Sequence, residues 1–224
     1  KDFKRCKKKK KLKKKINNGQ WGVEIMRLNK KNIIASVDRS LKNLNTDYLD
    51  LLQLHAFDKK TSIDETFECL ERLITQGKIL SVGVSNYNPS EIRKVLKNEI
   101  SKNISYCQIH YNIFERKAEL ELLPLLKKNK ITPLINRALA RGILSDKYKL
   151  GERFPRNSRA DLSLRIKKNI TRDLLICLLE IQKLSKNLGL STSQLALIWH
   201  LLKEKDSIVT VSYTHLRAHE TVAN

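Results

Sequence analysis

The chain has 224 residues, 41% hydrophobic and 30% charged, with a formal net charge of +22. That length buries one sizeable core, so a single domain is expected, although a complete (β/α)8 barrel typically runs to about 250 residues. No segment approaches the roughly 18 consecutive apolar residues of a membrane span, and no secretory signal is visible, so a cytoplasmic location away from membranes is expected.

The charge is unevenly placed. Residues 1–15 hold eleven Lys or Arg against Asp2 alone, a net +10, so the other 209 residues carry +12. Much of that remainder is lysine spaced along outer helix faces, such as Lys127, Lys128 and Lys130. A lysine run attracts any polyanion through counterion release. No aromatic residues interleave these lysines to stack bases, so no specific nucleic-acid partner is expected. Cys6, Cys69, Cys107 and Cys177 are scattered without CxxC or other metal spacing. Reduced, mostly buried thiols and no metal site follow.

Along the chain, residues 1–15 form a basic low-complexity tail in which only Phe3, Cys6 and Leu12 interrupt the charge. Lysine runs can arise from adenine-rich coding sequence or a slipped reading frame, and the tail is expected to lie outside the fold. Asn32 to Leu44 reads as a helix with Ile33, Ile34, Val37, Leu41 and Leu44 on one face. Tyr48 to His55 reads as a buried strand, with Asp50 expected to hydrogen-bond within it. Ser62 to Gln76 is its returning helix, with Ile63, Phe67, Leu70, Leu73 and Ile74 at helical period and Gly77 at the C-cap. Ile79 to Val84 is a second strand, leading through Ser85-Asn86-Tyr87-Asn88-Pro89 to Ser90 as the next N-cap.

A third strand, Ile104 to Ile109, precedes a helix over Lys117 to Lys128, and a fourth strand covers Ile131 to Ile135. Leu144 to Ala160, with Gly151 and Pro155, reads as an irregular connection. Helices over Leu164 to Leu188 and Thr192 to Leu202 follow, separated by Gly189 and a Ser191 cap, and Ser207 to Val211 begins a last strand. Residues 211–224 stand apart. VSYTHLRAHET (Val211 to Thr221) resembles the translation of a transposase-derived sequencing adapter, so this tail, with His215 and His219, is excluded from the expected fold. Residues 16–210 are the expected folded body. Strands alternating with helices, with polar side chains at the strand exits, imply a parallel α/β sheet.

The motifs DYLDLLQLH, GKILSVGVSN, YCQIHYNIFERKAELELLPL, INRALARGILSDKY and STSQLALIWHLL, taken in this order, resemble the aldo-keto reductases over roughly residues 30–210. The resemblance implies a partial (β/α)8 TIM barrel, with the active site at the C-terminal strand ends. It also implies hydride transfer from NADPH, with NADH as the alternative, to the carbonyl of a small aldehyde or ketone. By the same resemblance His55 orients that carbonyl and donates a hydrogen bond to it.

Ser85, Asn86 and Gln108 are the implied carboxamide ligands; a hydroxyl and two side-chain amides suit a group that both donates and accepts. The loop Asn136 to Gly142 is implied to wrap the cofactor. Asn136 stands where relatives commonly stack an aromatic on the nicotinamide, Arg137 could lay its guanidinium there or meet phosphate, Leu139 is a cofactor-binding residue of the same loop, and Gly142 permits close backbone approach to the pyrophosphate. Lys147 and Arg159 match positions that contact phosphate or adenosine. The family's general-acid Tyr, with its Lys and Asp, lies upstream of residue 30 in family order; no Tyr here precedes Tyr48. Turnover by this chain as given is therefore not expected. A cofactor-binding regulatory or channel-associated subunit on the same scaffold is the alternative reading, and the oligomeric state is left open.

Overall fold

The computed structural model describes residues 27–97 and 104–210. The two tails, Cys6, His215 and His219 lie outside these residues. Five strands form one sheet in the order of the chain, every neighbouring pair parallel. They are β1 (Leu52–Leu54), β2 (Val82–Ser85), β3 (Ile104–His110), β4 (Thr132–Asn136) and β5 (Ile208–Val209). Helices α1 (Lys30–Leu44), α2 (Ile63–Thr75), α3 (Pro89–Leu96) and α4 (Leu122–Lys128) alternate with them. The β4–β5 connection carries α5 (Arg159–Leu162), α6 (Leu164–Asn169), α7 (Arg172–Asn187) and α8 (Thr192–Lys203). Parallel strands in sequential order with helical returns are the wall of a (β/α)8 barrel, five strands of which lie among the described residues.

The two faces of the sheet differ in chemistry. Leu54, Val82, Val84, Cys107, Ile109 and Ile135 are buried against Val37, Leu70, Ile92 and Leu126 of the helices. Full burial of each such aliphatic side chain stabilises the fold by roughly 1.5–3 kcal/mol, which is what holds the helices on this side. Gln53, Ser85, Tyr106, Gln108, His110 and Asn136 occupy the alternate strand positions and face the other way. Gly83 lies among them. A Cβ there would stand 3.2 Å from Tyr106 Cβ and 3.3 Å from Gln53 Cγ, so glycine lets those two side chains close over β2. A second core joins Ala140, Ile143, Leu144 and Tyr148 to Ala160, Leu178 and Ala196, and so couples the segment after β4 to α5, α7 and α8.

The elements differ from the sequence reading mainly at their ends. The first strand is short. Leu49 still pairs with Ile79, but the Ser81 hydroxyl takes the Asp50 carbonyl and interrupts the ladder before Leu52. Asp50 is hydrogen-bonded through that carbonyl; its carboxylate is exposed and makes no hydrogen bond among the described residues. Asn88, not Ser90, caps α3, in a capping box with Glu91, because Pro89 is suited to the first helical position and the cap must precede it. The expected 117–128 helix is a 3-10 turn over Lys117–Glu119 and then α4. Pro124 explains the break, since its ring would clash with the Leu120 carbonyl in a continuous helix but fits a first turn.

The expected 164–188 helix is divided at Ile170, where the Thr171 side chain accepts from Leu174 N and starts α7. Leu44, placed on the apolar face of α1 by periodicity, is 65% exposed at the helix end. Of the described cysteines, Cys69 and Cys107 are buried and Cys177 is exposed, and none forms a disulfide. No helix among the described residues is long and apolar enough to cross a membrane.

Candidate active site at the strand ends

Ser85 ends β2 and is paired in register with Gln108 on β3. The pairing brings their side chains together: Ser85 Oγ donates to Gln108 Oε1 at 3.0 Å. Asn86 follows in the left-handed region at φ 60°, a conformation asparagine tolerates better than most residues. That turn aims its amide back along the strand ends, where Nδ2 donates to Ser85 Oγ at 3.0 Å and to the His55 carbonyl at 2.9 Å. The Asn86 backbone N–H also donates to the Gln108 carbonyl at 3.3 Å. Four residues from three strand ends thus form one relay. Its internal bonds use both Asn86 amide hydrogens, the Ser85 hydroxyl and Gln108 Oε1. The Gln108 amide N–H group and the Asn86 carbonyl oxygen remain outside the relay, one donor and one acceptor, which is the complement of a primary amide. His55 leaves the end of β1 with its imidazole exposed at the same edge.

Asn136 ends β4 and is paired in register with His110, and its carbonyl accepts from Tyr111 N at 3.3 Å. Arg137 is left-handed at φ 63°, and its carbonyl takes Asn112 Nδ2 at 3.2 Å. Ala140, Arg141 and Gly142 follow at φ 47°, 60° and 91°. Of the seven left-handed non-glycine residues in the described chain, four (Asn86, Arg137, Ala140 and Arg141) stand at this one edge of the sheet. Backbone strain of this kind persists only where the surrounding structure dictates it, and it concentrates at ligand sites. The loop is closed by Gly142 N to the Leu139 carbonyl at 2.8 Å and Ser145 Oγ to the Gly142 carbonyl at 2.7 Å. A Cβ on Gly142 would stand 3.7 Å from Lys147 Nζ, so Lys147 folds back over this turn.

The sequence-derived residues therefore fall in two groups. Ser85, Asn86 and Gln108 are joined directly to each other and to the His55 backbone, while Asn136, Arg137, Leu139, Gly142 and Lys147 line the adjoining edge and loop. Arg159 is half-buried and opens α5, whose Ala160 packs in the core shared with Ala140 and Leu144. Among the described residues no cluster of His, Cys, Asp and Glu is arranged to hold a metal ion.

Two histidines at this edge were not singled out by sequence reasoning. His110 closes β3, half-buried, with Nδ1 buried and unpartnered. Burial and then Arg137 hold its pKa below the ordinary range, with Glu115 opposing and Arg141 adding to the effect. His200 of α8 is fully buried against Tyr111 and Trp199, and Nε2 lies 3.4 Å from the Ala138 carbonyl of the loop. Burial lowers its pKa, against the partial offset of that carbonyl. Strand alternation places His110 on the face of Gln108, two residues on, and that is the signal by which it could have been found.

The Aldo/keto reductase family model matches residues 6–223. The chain is 34% identical over 174 residues to the aldo-keto reductase YhdN of Bacillus subtilis (strain 168), covering 77% of this chain and 52% of that protein. It is 30% identical over 203 residues to the L-glyceraldehyde 3-phosphate reductase of Escherichia coli (strain K12), covering 87% of this chain and 58% of that protein. Among solved structures, a glycerol dehydrogenase from Gluconobacter oxydans superposes with a TM-score of 0.69 at 28% identity, over 82% of this chain and 56% of its own. An aldo/keto reductase from Klebsiella pneumoniae in complex with NADP and acetate shares the fold, with a TM-score of 0.64 at 22% identity, over 83% of this chain and 56% of its own. The chain spans about half the length of these relatives. The family model covers nearly all of the sequence, the strand order and helical returns of the described residues agree with it, and the chain belongs to the aldo/keto reductase family.

Proposed function

We propose that the protein to which these residues belong reduces the carbonyl of a small aldehyde or ketone to an alcohol, using NADPH in preference to NADH. The observation that carries this reading is the Ser85–Asn86–Gln108 relay, whose spare donor and acceptor match a carboxamide. The residues present fit a nicotinamide dinucleotide. The relay would hold the carboxamide; Asn136 would flank the ring and Arg137 would meet the ring or phosphate; Leu139, Gly142 and Lys147 would hold the pyrophosphate, and Arg159 would reach phosphate or the adenosine half. When bound, the cofactor supplies a hydride. The chain's own part is to fix which ring face meets the substrate, through Gln108 and Asn86. His55, exposed at the end of β1, donates a hydrogen bond to the substrate oxygen and orients it. The protein works in the cytoplasm on a small-molecule substrate.

Titration of the protein with NADPH, followed by nucleotide fluorescence, tests the reading. Saturable binding is expected, weakened by Ser85→Ala and Gln108→Ala; a wild-type protein indifferent to NADPH would overturn it. A cofactor-binding regulatory subunit on the same scaffold is the second reading. It gives the same binding, but recovery of the full-length protein would show no carbonyl-dependent NADPH oxidation.

A further inference from the structure

His110 stands between the two halves of the site. It ends β3 beside Asn136 at the end of β4, and it follows Gln108 on the same sheet face. At about 3.3 Å of rise per residue, it lies roughly 7 Å beyond Gln108 along the strand. On one side is the relay of Ser85, Asn86 and Gln108, and on the other the left-handed turn through Arg137 and Gly142. Its ring has no hydrogen-bond partner among the described residues; Nδ1 is buried, and the half-exposed side chain leaves Nε2 open at the edge.

We propose that His110 binds the nicotinamide riboside half of the dinucleotide, its Nε2–H donating to a ribose hydroxyl oxygen. The inference rests on the cofactor reading above. A dinucleotide held by its carboxamide at the relay and by its pyrophosphate at the 137–142 loop must carry its first ribose across the ends of β3 and β4. His110 and Asn136 are the side chains there. The protonation state agrees with a hydroxyl partner. A buried Nδ1 without an acceptor favours the tautomer whose proton is on Nε2. Burial, then Arg137, with Arg141 in support and only Glu115 opposing, keep the ring neutral near pH 7. A neutral ring with one outward N–H suits a hydroxyl oxygen, whereas a phosphate is better served by the arginines of the neighbouring loop.

The test uses the full 224-residue chain with three probes: NADPH, reduced nicotinamide mononucleotide and 2′,5′-ADP. Binding of each is measured by calorimetry for wild type, His110→Ala and His110→Gln. The alanine variant is expected to bind NADPH and the mononucleotide about three- to tenfold more weakly, the range for one lost hydrogen bond, and 2′,5′-ADP unchanged. Glutamine, which keeps an N–H at similar reach, restores most of the loss. In ¹⁵N-labelled protein the Nε2 resonance shifts on adding the mononucleotide. Equal weakening toward 2′,5′-ADP would assign His110 a general structural role and overturn the proposal. So would undiminished mononucleotide binding by the alanine variant, with the cofactor reading left standing. A wild type that binds none of the three probes would remove the cofactor reading and this inference together.

Discussion

Asp146 and Thr192 meet at the head of α8: the Thr192 N–H donates to Asp146 Oδ2 at 3.3 Å and the Thr192 hydroxyl donates to Oδ1. A carboxylate at the first residue of a helix answers both its unpaired N–H groups and its dipole. Ser193 Oγ donates to the Leu144 carbonyl at 3.1 Å, and Gln182 Nε2 donates to the carbonyls of Ser145 and Tyr148 at 3.2 and 3.1 Å. Helices α7 and α8 thus hold residues 144–148, which continue the loop carrying Leu139, Gly142 and Lys147.

Asp146→Ala is expected to cost roughly 1.5–3 kcal/mol, the range for hydrogen bonds to a charged group, and to weaken NADPH binding as Lys147 loses its footing. Asp146→Asn, which keeps the acceptor and loses the charge, should cost less. Urea unfolding of both variants checks this, and an unchanged midpoint for the alanine variant would show that the cap carries no stability.

Ser85 is 2% exposed and serves both as donor to Gln108 and as acceptor from Asn86. Ser85→Ala should therefore lower stability by about 1 kcal/mol and weaken NADPH binding by about fivefold or more. Because Ser85 and Gln108 act through one bond, the double variant Ser85→Ala/Gln108→Ala should lose less than the sum of the two single changes. A coupling of about 0.5 kcal/mol or more is expected. Strict additivity in the double-mutant cycle would mean that the two side chains bind independently.

Stability should fall as the solution is acidified from pH 7 to pH 5. His200 is fully buried, and its folded pKa is lowered, by burial, from the ordinary 6.5. The unfolded chain then binds a proton that the native state refuses, so stability is present above about 6.5 and lost as pH falls below it. His110, lowered in the same direction by burial, adds to the slope. Urea midpoints between pH 7.5 and pH 5 measure it, and His200→Gln should flatten the profile. An equally steep profile in that variant would place the titration elsewhere.

Much of this site was legible because strands announce their ends. The apolar run Ile79 to Val84 stops at Ser85-Asn86, and the structure puts those two side chains at the sheet edge. What periodicity could not supply was register. Nothing within the sequence of β3 states that Gln108, rather than Cys107, lies opposite Ser85; the shift between Val82 and Gly83 decides that. His110 was passed over for the same reason, since it looks like one more residue of YCQIHYN until its alternation with Gln108 is fixed. Helix breaks were misread where one capping side chain outweighs an apolar pattern. At Thr171 the hydroxyl oxygen accepts from Leu174 N at 3.2 Å and starts a new helix inside a segment where Ile166, Ile170, Leu174 and Leu178 keep a helical spacing. Asp146 was hidden by distance, as its partner lies 46 residues away.

This 224-residue polypeptide, tested by itself, is expected to bind NADPH without oxidising it appreciably when offered an aldehyde. Hydride transfer leaves an alkoxide that must be protonated, and a positioned general acid typically contributes about 10²–10⁴-fold. A tyrosine suited to that task has a lowered pKa. Tyr87 and Tyr111 are moved the other way, first by burial, and the Tyr111 hydroxyl is already committed to Glu119 at 2.6 Å. His55, exposed at the sheet edge, is the side chain that could stand in as the proton donor. The measurement is NADPH oxidation across a panel of aldehydes, with the wild-type chain beside His55→Ala. Rates at background for both are expected. Turnover well above background that disappears in His55→Ala would show His55 supplying the proton itself, and this expectation would be wrong.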